Sequence, residues 1–84
     1  MIALSIDQGY IVQEAIHAQL KNNGFGELVG HKIGCTTKVM QDFLSILHPC
    51  SGEVFETMVF PSRTTLKLSD FQKIGLECEI AVRL

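Results

Sequence analysis

From Ile74 to Leu84 the chain alternates without a break. On an extended backbone Ile74, Leu76, Cys78, Ile80, Val82 and Leu84 project to one side and Lys73, Gly75, Glu77, Glu79, Ala81 and Arg83 to the other. This period of two predicts a strand over 74–84 with one wholly apolar face. Such a face has to be covered by a second layer, and such a strand needs a neighbour on its edge. The rest of the 84 residues offers little to do either. Residues 1–84 are therefore expected to be the N-terminal portion of one larger domain. The same stretch poses a chemical question. Glu77 and Glu79 share the polar face roughly 7 Å apart, where like charges repel unless water or a cation screens them. Two readings stand: a half-solvated strand whose polar face meets water, and a pair of ligands for a hard divalent cation.

Composition narrows the partners. Seven basic residues are scattered through a chain of net charge −2, which disfavours nucleic acid and anionic membrane surfaces. Aromatic residues make up 7% with no Trp, so no stacking platform for bases is expected. No apolar run reaches the length of a membrane span, and the first ten residues lack a basic n-region and cleavage signature. A cytoplasmic protein is expected. The three cysteines, Cys35, Cys50 and Cys78, are an odd number without a C-x-x-C pair, which fits a reducing compartment.

Along the chain, Ser5 and Gln8 form a capping box, with Asp7 as an alternative cap, and predict a helix from there to Lys21. Its expected buried stripe is Val12, Ile16 and Leu20, widened by Tyr10, Ile11 and Ala15. The stretch NNGFG at 22–26 ends it. Residues 27–36 read as a strand interrupted by Gly30 and Gly34, where a bulge or a close approach is expected. Thr36 or Thr37 caps a short helix over 38–47. HPCSG at 48–52 reads as a turn, 53–60 as a strand closed by Pro61, and 64–68 as a short strand. The order helix, strand, helix, strands predicts an α+β fold.

Few constellations carry chemistry. Lys32 lies between two glycines in GHKIGCT, and reads either as a solvated edge lysine or as an ammonium aimed at an anionic ligand. His31 with Cys35, and His48 with Cys50, do not match zinc spacings. His17 reads as a surface or partly packed histidine. There is no nucleophile elbow, P-loop or dinucleotide fingerprint.

Four segments in order, GYIVQ at 9–13, GHKIGCTTKVMQ at 30–41, GEVF at 52–55 and ECEIAVRL at 77–84, resemble the 2-keto-4-pentenoate hydratase family within the fumarylacetoacetate hydrolase superfamily. The resemblance implies strands of a mixed β-roll, here incomplete, behind the N-terminal helix. It implies a divalent metal, Mg²⁺ with Mn²⁺ as the alternative, held by Glu77, Glu79 and a third acidic residue past Leu84. Lys32 matches the family's active-site lysine, and Cys50, Ser51 and Ile80 are expected to line the substrate. The implied reaction is hydration of a 2-hydroxy-2,4-dienoate, a step in aromatic catabolism, by a homo-oligomer acting on a small 2-oxo acid. One departure is plain. The family's P-D-F-G reads Pro49-Cys50-Ser51-Gly52 here, so Cys50 stands where an acidic residue is usual, which leaves the reaction subtype open. A decarboxylase or C–C hydrolase would use the same metal and lysine. A non-catalytic homologue serving as an interaction module is the reading from another class.

Overall fold

In a computed structural model describing residues 5–84, the elements up to Phe55 follow the expected order, and those after it do not. Helix α1 covers Ile6–Leu20. Ser5 is its N-cap, and the Ser5 hydroxyl accepts from the Gln8 amide at 3.2 Å, satisfying one of the free amides of the first turn. Asp7 adds a favourable negative charge there. The helix widens into a final turn over Lys21–Phe25 and leaves it through Gly24 and Gly26, whose φ angles are 93° and 84°. Gly26 has a second reason to be glycine. A Cβ there would sit 2.3 Å from Cγ of Glu56, whose carboxylate accepts from the Glu27 amide while its own amide donates to the Glu27 carbonyl.

Strand β1 (Leu28–Gly34) and strand β2 (Cys50–Phe55) pair antiparallel. Their register matches Gly30 with Val54, Lys32 with Gly52, and Gly34 with Cys50, with a bulge between Leu28 and Gly30. The bulge falls beside one of the two interrupting glycines. Between the strands lies α2 (Lys38–Leu44), capped by Thr37, whose hydroxyl accepts from the Met40 amide at 3.2 Å. It stops three residues earlier than its composition suggests, because Ser45 turns left-handed (φ 58°). The Ile46 amide then donates back to the Gln41 carbonyl at 2.9 Å.

Three expectations are corrected. The predicted turn at 48–52 is in part strand, since β2 begins at Cys50. The predicted strand over 53–60 ends at Phe55, where Glu56–Met58 forms a short 3₁₀ turn. The strands expected over 64–68 and 74–84 do not form; a 3₁₀ turn at Leu68–Asp70 is the sole regular element there. The physical reason is common to both. An alternating pattern gives the faces of a strand, but a strand exists only when its amides and carbonyls find a ladder, and 61–84 have none among the described residues.

The face α1 presents to the sheet also differs from expectation. Tyr10, Gln13 and His17 recur at helical spacing, and Ser51, Glu53 and Phe55 at strand spacing, so two straight rows meet. The Tyr10 hydroxyl accepts from the Ser51 amide at 3.1 Å, and Gln13 Nε2 donates to the Ser51 carbonyl at 3.3 Å. His17 Nδ1 donates to Glu53 Oε2 at 2.7 Å. Ile11 and Ile16, expected inside, are exposed. Polar partners on the strand, rather than apolar ones, selected the face.

Phe55, 3% exposed, is the one buried residue among those described. His17 and Phe25 meet it edge-on, with ring centroids 5.4 and 6.2 Å away. The accessible surface is 7974 Å², against about 5,000 Å² for a compact monomer of this mass. The radius of gyration is 15.0 Å, against about 12 Å for a compact chain of this length. Apolar side chains such as Leu47, Leu76 and Ile80 stand almost fully in solvent. Among the described residues no helix is long and apolar enough to cross a membrane.

Candidate functional site

The sheet has two different faces. Gly30, Lys32 and Gly34 share one with Val54, Gly52 and Cys50, while His31 and Ile33 share the other with Glu53 and Ser51. Helix α1 lies on the second face, through Tyr10, Gln13 and His17. Lys32 thus stands on the first face with glycine on either side and glycine directly opposite. No neighbouring side chain on the strands crowds its stem, and the ammonium is free to reach outward.

It reaches Glu79. Lys32 Nζ donates to both carboxylate oxygens of Glu79, each at 2.5 Å. Both side chains are about half exposed. The Glu77 carboxyl lies within hydrogen-bonding reach of that of Glu79 and adds its charge to the field on Lys32. Residues 77–79 bring the two carboxyl groups to one place without being a strand. Lys32, Glu77 and Glu79, 45 to 47 positions apart in sequence, are therefore neighbours in space. Cys50 lies on the same sheet face as Lys32, two cross-strand pairs along. Ile80 follows Glu79 and is exposed. Ser51 is on the α1 side, its backbone engaged by Tyr10 and Gln13. The structure does not gather it with the others.

The charges tune one another. The hydrogen bond that Lys32 donates to Glu79, and secondarily the charges of Glu79 and Glu77, raise the Lys32 pKa above the ordinary lysine value. The same bond and the Lys32 charge hold the Glu79 carboxyl below the usual glutamate range. Lys32 is a cation at neutral pH, suited to hold a carboxylate. The signs fix the pH window. The contribution of Glu79 to the pairing is complete above its ordinary value and lost as pH falls through its depressed one. That of Lys32 is complete below its ordinary value and lost as pH rises through its raised one. Replacing Lys32 by Met should return the Glu79 midpoint upward toward the ordinary glutamate range. A carboxyl-carbon NMR titration reads this directly, and an unchanged midpoint would show that the pair does not form in solution.

Two carboxylates of this kind are the right donors for a hard cation such as Mg²⁺, which takes few protein carboxylates and completes its shell with water and substrate oxygens. No group of three acidic, histidine or cysteine side chains gathers among the described residues. A cleft of about 810 Å³ is lined by Leu28, Gly30, Val54 and residues 81–84, without Lys32, Glu77 or Glu79. Sequence reasoning missed the His17–Glu53 pair and Gln13, while Tyr10 was read only as part of the apolar stripe. The regular spacing of Tyr10, Gln13 and His17 was the available signal.

Over 77 residues the chain is 32% identical to the 2-keto-4-pentenoate hydratase of Paraburkholderia xenovorans (strain LB400) and to 2-keto-4-pentenoate hydratase 3 of Pseudomonas putida. The match takes in 92% of this chain, which spans 28% of the length of each of these relatives. No family model and no solved structure matches the chain.

Proposed function

We propose that these residues are the N-terminal portion of a metal-dependent hydratase that adds water to 2-hydroxy-2,4-dienoates. The observation that carries the reading is the convergence of Lys32, Glu77 and Glu79 on one face of the sheet. The similarity to two proteins named as 2-keto-4-pentenoate hydratases supports it. In this reading Glu77 and Glu79 hold Mg²⁺ or Mn²⁺ with an acidic residue beyond Leu84, and the fold is completed as a fumarylacetoacetate hydrolase-like β-roll. The ion supplies Lewis acidity toward a bound 2-oxo acid.

The chain's own residues do the rest. Lys32, kept cationic by its glutamate neighbours, binds the substrate carboxylate and supplies a proton as the enol becomes the oxo acid. Glycines at 30, 34 and 52 leave the space beside it open to a small molecule. Cys50 and Ile80 flank the substrate on this face, whereas Ser51 lies on the α1 side of the sheet and is not part of this grouping. Exposed apolar surface along β1 and 81–84 is covered by further strands and by a second copy in a cytoplasmic homo-oligomer.

Metal binding tests the proposal. Mn²⁺ titrated into the 84-residue chain and followed by loss of the free-ion paramagnetic signal should bind with about millimolar affinity, because two carboxylates make an incomplete shell. Replacing Glu77 and Glu79 together by Gln should weaken binding by about tenfold or more. Equal binding by the double variant would place any metal elsewhere.

A further inference from the structure

Where β1 ends and β2 begins, two cysteines meet. Gly34 is paired in register with Cys50, so Cys35, the next residue, is one step from a directly opposed partner. Opposed residues in an antiparallel pair have Cα atoms roughly 4.5–5.5 Å apart, and disulfides span roughly 4.4–6.8 Å. Cys35 does not continue the strand. It turns left-handed, φ 56°, and its thiol lies beside that of Cys50 rather than pointing away. The turn is held from outside, since Gln41 Nε2 donates to the Cys35 carbonyl at 2.9 Å. Both thiols are free and half-buried, whereas Cys78 is exposed.

The geometry points to Cys35 and Cys50 as a dithiol site that reacts with small disulfides of the glutathione class and closes to an intramolecular disulfide. One thiolate, from Cys50, attacks a sulfur of the small disulfide and releases one small thiol. Cys35 then attacks the Cys50 sulfur of the mixed disulfide, forming the Cys35–Cys50 bond and releasing the second small thiol. Two electrons pass from the protein to the small disulfide, and the two protein thiol protons end on the two released thiols. Burial, and then the neighbouring Cys50 thiol, raise the Cys35 thiol pKa, so Cys50 makes the first attack and Cys35 reacts only once the mixed disulfide is held beside it. The new bond would pin the exit of β1 to the start of β2, two cross-strand pairs from Lys32. This inference is independent of the hydratase reading.

The test is oxidation of the full chain with oxidised glutathione in native buffer and in urea, followed by alkylation and peptide mapping. The native chain should give a Cys35–Cys50 linkage in about tenfold higher yield than the unfolded chain, since the fold presents the thiols to one another. The Cys78→Ser chain should give the same linkage, and Cys50→Ser should leave Cys35 as a thiol or a mixed disulfide. Equal native and urea yields, or linkages to Cys78 as abundant as Cys35–Cys50, would overturn the assignment.

Discussion

Replacing Phe55 by Ala is expected to undo the docking of α1 on the sheet. Loss of a buried phenylalanine costs about 3–5 kcal/mol, and each edge-on aromatic partner adds about 0.5–1.5 kcal/mol. A domain of this length has roughly 4–12 kcal/mol of stability in total, so one side chain accounts for a large share. The reason is local. Phe55 is where α1, the turn ending at Phe25 and β2 meet, and no second buried residue among those described takes over if it is removed. The expected result is a large fall in the urea midpoint with early loss of the helical circular dichroism signal. Phe43→Ala, at a side chain 80% exposed, should move the midpoint by less than about 0.5 kcal/mol equivalent. Equal effects of the two substitutions would show that Phe55 is not the anchor.

Local chemistry was legible in the sequence, and long-range pairing was not. The Ser5 and Thr37 caps, the glycine exit from α1 and the first strand could be read because each is decided within a few residues. The start of β2 at Cys50 was hidden by Pro49, whose turn signal outweighed the pairing of Cys50 with Gly34. The strand expected over 74–84 shows the limit most clearly. Its alternation is complete, yet those residues have no ladder to join among the described ones, and they lie exposed outside any regular element. For α1 the hydrophobic stripe misled, since Ser51 and Glu53 present polar groups that only Tyr10, Gln13 and His17 could meet. The grouping of Lys32 with Glu77 and Glu79 came from motif resemblance. Nothing in the spacing of residues so far apart would have suggested it.

The largest functional effect is expected at that grouping. In the proposed reaction Lys32 would combine the cation for a substrate carboxylate with the proton for the carbon skeleton, and positioned proton donors contribute typically 10²–10⁴-fold to a rate. Lys32→Ala should therefore lower kcat by about that factor, with the protein still folded, because the side chain is half exposed and packs against no core residue. Glu79→Gln should have at least as large an effect on the same proposal, since it removes a carboxylate proposed to hold the metal together with the hydrogen-bond partner of Lys32. Arg83→Ala, further along the same segment, should leave turnover nearly unchanged.

The most direct measurement is Mg²⁺-dependent loss of 2-hydroxypenta-2,4-dienoate absorbance in the protein that carries this segment, compared with its Lys32→Ala and Glu79→Gln variants. The account predicts turnover that chelator abolishes and Mg²⁺ restores, falling about 10²-fold or more in each variant. Turnover that persists in both variants, or that is indifferent to chelator, would contradict it.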